Sequence, residues 1–151
     1  MKTGSKKLFV FLTVCLLSFV SFIGCQKNAK GKDADIKKGY IAVFSQGMGE
    51  FSQETYVYKA SFGKYKYVNV KAATDGWGGP FIRTVVGSGK VDTKEELVEI
   101  AKENNACGQL ILIPPEAYDK YDPAFIESKQ AIEADYPQIY MTIDEFLSQD
   151  I

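Results

Sequence analysis

The sequence predicts an α+β fold: a single domain over residues 40–151, with a mixed β-sheet of four to six strands and two or three helices packed on it. Three observations lead there. Between Tyr40 and Val86, short runs of β-branched and aromatic residues alternate with glycine-containing turns. Beyond Val91, apolar residues recur at helical spacing behind capping signals. Leu110-Ile111-Leu112-Ile113 is apolar at every position, the pattern of a central strand covered on both faces. A small three-layer α/β domain is the second architecture compatible with this order.

The elements follow in sequence. Tyr40 to Phe44 reads as a short strand, broken by the turn residues Gln46-Gly47-Met48-Gly49. Thr55 to Lys59 and Tyr65 to Val70 read as a hairpin around Ser61-Phe62-Gly63-Lys64. Asp75-Gly76-Trp77-Gly78-Gly79-Pro80 is a loop, Phe81 to Val86 resumes a strand, and Gly87-Ser88-Gly89 is expected to end or bend it. Asp92 with Glu95, or Thr93 with Glu96, forms a capping box for a helix with Leu97, Ile100 and Ala101 inward. That helix ends at Asn104-Asn105, and Pro114-Pro115 stops the strand after it. Asp122-Pro123 is an N-cap and first-turn pair for a helix to about Asp135, with an apolar stripe of Phe125, Ile132 and Tyr136. Gln138 to Met141 is a last short strand. Thr142 and Glu145 then cap a terminal helix that turns Ile143, Phe146 and Leu147 inward.

Charge divides the chain. The whole sequence has a net charge of −1, yet from Tyr40 onward 10 Lys and Arg face 17 Asp and Glu. Residues 26–39 hold five lysines against two aspartates and no aromatic residue. That composition reads as a basic, flexible linker before an acidic domain. An acidic domain is a poor partner for nucleic acid, whose binding rests on neutralising phosphates.

Residues 1–25 carry an address. Lys2, Lys6 and Lys7 precede an apolar stretch from Leu8 to Ile23, which closes on Phe22-Ile23-Gly24-Cys25 before Gln26. Sixteen residues is short for a membrane span, which needs about 20, and suits the apolar core of a signal peptide. The segment resembles the signal peptide of bacterial lipoproteins, in which such a run precedes a lipidated cysteine. Phe22 departs from the Leu that this motif favours. The resemblance implies cleavage after residue 24, acylation of Cys25, and attachment to membrane lipid through it. Gln26, in place of Asp, implies the outer membrane or cell surface rather than the inner membrane. Plain secretion and an uncleaved anchor are the alternatives. The resemblance covers the targeting segment alone.

Several chemistries are excluded by composition. The chain has no histidine, which removes Ser-His-Asp and Cys-His catalysis and the commonest zinc ligand. Cys107 is the sole cysteine beyond Cys25, so it has no partner for a disulfide inside the domain and is expected to pack in the core. Gly47-Met48-Gly49 and Gly87-Ser88-Gly89-Lys90 lack the full spacing of phosphate-binding loops and read as turns. Glu116, Asp119 and Asp122 do not have the alternating spacing of a calcium loop and read as a solvated acidic segment. No cofactor and no metal are expected.

The remaining candidates are aromatic. Tyr56 and Tyr58 share one side of a strand, Tyr65 and Tyr67 one side of the next, and a tight turn would bring Tyr58 near Tyr67. Trp77, Tyr58 and Tyr67 are therefore the candidate binding residues, since Tyr and Trp dominate interface hot spots. The expected function is a membrane-anchored envelope lipoprotein with a non-catalytic role, binding an envelope protein or helping assemble a complex. The alternative is a small carboxylate-dependent hydrolase tethered to the membrane.

Overall fold

Strands β1 (Ala42–Met48), β2 (Phe51–Lys59), β3 (Tyr65–Ala73) and β4 (Ile82–Val91) form an antiparallel meander. These come from a computed structural model that describes residues 36–74, 82–132 and 138–151. Cys25, Trp77 and Tyr136 lie outside the described residues. Two short strands, β5 (Ile111–Ile113) and β6 (Ile139–Met141), extend the sheet beyond β1, giving the order β4-β3-β2-β1-β5-β6. Helices α1 (Lys94–Glu103), α2 (Pro123–Ile132) and α3 (Ile143–Ser148) supply the second layer, with short 3₁₀ segments at Ser61–Gly63 and Pro115–Lys120. The α+β class and the helix-on-sheet packing are those expected from the sequence.

Pairing is antiparallel between all neighbouring strands described, rather than mixed. A helical crossover normally joins parallel strands, and α1 does so here: β4 and β5 run the same way. Three strands separate them, so this parallel relation never becomes a hydrogen-bonded pair.

The strands also outrun their expected ends. β1 continues through Gly47 to Met48, and the reversal is compressed into Gly49-Glu50, with Gly49 at φ 63°. β4 continues through Gly87-Ser88-Gly89 to Val91. Asn69 pairs with Gly87 and Val70 with Val85, so Val86 is the extra residue of a bulge that bends the strand without ending it. Gly89 has a packing reason. A β-carbon there would lie 2.7 Å from the Tyr67 hydroxyl and 2.9 Å from its ring, so the absence of a side chain lets Tyr67 lie across the strand.

Both capping boxes form. Glu96 N–H donates to Thr93 Oγ1 at 3.2 Å and Thr93 N–H to Glu96 Oε2 at 3.1 Å, which selects the later of the two alternatives. Thr142 and Glu145 repeat the exchange at 3.2 and 2.8 Å. Asp122 Oδ1 accepts from Ala124 N–H at 2.8 Å at the start of α2. Asn105 ends α1 in the left-handed region, φ 52°, and the following Ala106 N–H reaches back to the Ala101 carbonyl at 2.8 Å.

The core lies between the helices and one face of the sheet. Leu97, Val98 and Ala101 of α1, Ile126 of α2 and Phe146 of α3 bury against Ala42, Phe44, Val57, Ile111, Ile113, Ile139 and Met141. Phe146 meets Phe44 edge to face, with ring centroids 5.4 Å apart. Cys107 packs partly buried against this core, and burial pushes its thiol pKa up, with Lys102 opposing. Ile132 departs from its expected place in an apolar stripe, being 80% exposed. The helix meets β6 and the Pro115–Lys120 turn, and Ile126, with Phe125 beside it, makes the packing contact that Ile132 was expected to share. β5 was expected to be central and covered on both faces. It is instead next to the sheet edge, and Leu110 is exposed.

Candidate binding face

Strand parity divides the tyrosines. Lys59 pairs with Tyr65, so Val57 stands opposite Tyr67 and Tyr58 opposite Lys66. Directly paired residues point to the same side of a sheet. Tyr58 and Tyr67 therefore lie on opposite faces and do not meet. The expected tight turn would have shifted the register by one residue, and a one-residue slip exchanges the faces. Tyr67 faces the helices and packs partly buried on the main core. Tyr58 lies on the face without helices.

That open face has its own small core of Val43, Tyr56 and Val70, with Tyr58, Val68 and Leu112 packed around it. The chain before β1 returns across it: Ile36 and Tyr40 join the same cluster. The Tyr40 ring meets Tyr56 edge-on at 5.0 Å and Tyr58 at 6.3 Å. Tyr58 Oη donates to the Lys37 carbonyl at 2.9 Å. Burial raises the Tyr58 pKa, with Tyr40 adding to it, so the hydroxyl remains a donor at neutral pH. Tyr58, singled out for binding, thus holds the N-terminal segment of the domain on the sheet.

The open face also contains one nearly buried carboxylate. Glu54 Oε2 accepts from Tyr56 Oη at 2.7 Å and from Arg83 Nε at 3.1 Å, and Oε1 accepts from Ser52 Oγ at 3.3 Å. Burial and then the hydrogen bond to Glu54 push the Tyr56 pKa well up. Burial works against the Arg83 charge, but Glu54 and Tyr56 outweigh it and the guanidinium pKa rises. Behind this cluster, Asn104 Nδ2 donates to the Glu54 carbonyl at 3.2 Å and to Thr55 Oγ1 at 3.3 Å. Thr55 Oγ1 in turn donates to Asn69 Oδ1 at 2.9 Å. The arrangement ties α1 to β2 and β3, and both carboxylate oxygens are occupied by protein donors. It forms a hydrogen-bonded ion pair between β2 and β4.

Beside Tyr58 the face opens into a cleft of about 420 Å³. Val68 and Val85 form its apolar floor, Ile36 one wall, and Lys37, Lys38, Lys59 and Lys66 its cationic rim. No Asp or Glu lines it among the described residues. Lys66 is paired across the strands with a second lysine, Lys90. Sequence reasoning missed this cleft because its lysines come from three separate segments.

Elsewhere, Glu116, Asp119 and Asp122 form no three-residue metal-ligating group among the described residues. Asp119 pairs with Lys120 at 2.5 Å. No described helix is long and apolar enough to cross a membrane. Comparison with protein-family models, curated proteins and solved structures finds no match to this chain.

Proposed function

We propose that the chain is a bacterial envelope lipoprotein, anchored through acylated Cys25, whose domain acts as a non-catalytic binding module. The observation that carries the binding reading is the open face of the sheet. Leu112 and Tyr58 are half-buried there, Val85 and Tyr140 are exposed, and the only cover among the described residues is the short segment from Ile36 to Tyr40. An apolar and aromatic sheet face of this kind suits a protein partner. The hydrolase alternative gains no support from Glu54, whose oxygens are engaged by Tyr56, Arg83 and Ser52.

Two measurements test the proposal. Cells fed a labelled fatty acid incorporate it into the wild-type protein, and Cys25→Ala loses both label and membrane fractionation. A photo-crosslinker replacing Tyr140, on the open face, captures an envelope protein in the native membrane, while one at Glu127 on α2 captures none. A mature N-terminus other than Cys25 ends the anchor reading. Equal capture from both positions ends the binding-face reading.

A further inference from the structure

We infer that the β2–β4 end of the open face docks on an anionic lipid surface, leaving the β5–β6 end, with Leu112 and Tyr140, for a protein partner. The inference deepens the proposed function and rests on it for the tether.

Three observations converge on one end of the sheet. The first is charge. Residues 92–151 carry 14 acidic against 4 basic side chains, whereas residues 40–91 carry 3 against 6. The helical half is thus acidic and the meander basic. Lys37 and Lys38, from the segment before β1, line the cleft together with Lys59 and Lys66 of the meander, and Lys90 stands opposite Lys66. Like charges placed directly opposite repel, and an anionic surface relieves that repulsion. Of the neighbouring lysines, Lys64 is already paired with Asp92 at 2.8 Å, and Lys59 Nζ lies over the Tyr65 ring at 5.2 Å.

The second observation is Phe62. It sits at the tip of the β2–β3 turn, between Lys59 and Lys66, and is 98% exposed. Its backbone is left-handed, φ 61°, a region that L residues with bulky side chains rarely occupy. A fully exposed phenylalanine in a strained turn contributes nothing to the folded core. An aromatic ring flanked by lysines is the chemistry of the membrane interface: the ring enters the acyl boundary and the ammonium groups remain among the headgroups.

The third is where the tether arrives. Ile36 lines the cleft and Lys37 is held on Tyr58. Ten residues separate Ile36 from Cys25, and fully extended they reach about 40 Å at most. An acylated Cys25 would thus hold the domain near the bilayer, with the tether joining it at this cleft. Interfacial attraction then acts at high effective concentration.

The test uses the protein as isolated from its own membrane, reconstituted into vesicles of phosphatidylcholine alone or with 30 mol% phosphatidylglycerol. Phe62→Trp is compared with the wild type, whose sole tryptophan is Trp77, using lipids brominated on the acyl chains as quenchers. The expected result is quenching of the residue-62 signal in phosphatidylglycerol vesicles and little in neutral ones. Removing Lys37 and Lys66 together as alanines should weaken the docked state by about fivefold per lysine. Co-flotation with neutral vesicles reports the lipid anchor separately, so its loss overturns the anchor and not the docking. Protein that floats on neutral vesicles yet shows no added quenching with phosphatidylglycerol overturns the docking. Capture of an envelope protein by a crosslinker at Lys66, with residue 62 unquenched, overturns it in favour of a protein site.

Discussion

Lys66 of β3 and Lys90 of β4 stand directly opposite each other on the open face of the sheet. Nothing in the fold requires two ammonium groups there, since each could be replaced without touching the core. Like charges directly opposite across two strands are expected to repel and to favour an anion at this face. Lys90→Glu should therefore move two measurements in opposite directions. The urea midpoint should rise, by an amount equivalent to about 0.2–1 kcal/mol, while docking on phosphatidylglycerol vesicles weakens. A midpoint that falls would show that the pair is not a source of strain.

Glu54 and Arg83 should behave as a coupled pair. Arg83→Met leaves a nearly buried carboxylate with Tyr56 and Ser52 as its remaining donors among those described above, at a cost of about 1–3 kcal/mol. Glu54→Gln combined with Arg83→Met removes the charge as well, and should recover part of that loss. Chemical denaturation of the two single variants and the double variant gives the coupling energy. Strict additivity would mean the ion pair is not felt.

Glu145 gives the domain an acid-sensitive contact. Its carboxyl is held below its ordinary pKa of 4.5, first by the hydrogen bond from Lys129, with burial opposing and the Thr142 cap assisting. A folded-state pKa below the unfolded value means stabilisation that is complete above about pH 4.5 and is lost as pH falls through the folded value. Glu145→Gln keeps a side chain able to complete the capping box but cannot titrate. The variant should be less stable than wild type at pH 7, and the difference should shrink as pH falls below about 4.5. A constant difference would assign the effect to packing.

Gly108 has no room for a side chain. A β-carbon there would lie 2.4 Å from the Ser45 carbonyl oxygen, an atom of the β1 backbone. Relief requires moving a strand, so Gly108→Ala should cost about 1–3 kcal/mol, the range for overpacking. Gly39→Ala is the contrast, because its β-carbon meets nothing within 4 Å and its penalty comes from φ 91° alone. Melting temperatures of the two variants separate steric contact from backbone strain.

Tyr121 links the second half of the chain to the first. Its hydroxyl donates to the Ile41 carbonyl at 2.8 Å across a buried contact, and burial drives its pKa well up. Tyr121→Phe preserves the ring and removes one donor, and should cost about 1 kcal/mol. An unchanged urea midpoint would mean that water replaces the donor.

Local chemistry was legible in the sequence wherever a few neighbouring residues decide it. Thr93 with Glu96, Thr142 with Glu145, and Asp122 before Pro123 place their helix starts because a cap needs only residues within one turn. The α+β class follows from the same local patterns in order, and the charge division is arithmetic on the chain. The proposed targeting segment is likewise read from contiguous residues alone. The candidate site was not legible in this way. Whether Tyr58 meets Tyr67 depends on the length of one turn, and a single residue of register places them on opposite faces. Ile132 is apolar and correctly spaced for a helix stripe, yet nothing in its own segment reveals that no neighbour covers it. Lys37, Lys66 and Lys90 are far apart in sequence and unremarkable singly. Antiparallel pairing of β2, β3 and β4, together with the Tyr58 bond that lays Lys37 on the sheet, brings them to one end of one face. The sequence by itself determined which elements form, because capping, turn and alternation energies are local. Only the tertiary structure decided which side chains share a surface, because that depends on register and crossover, which are set by packing between segments distant along the chain.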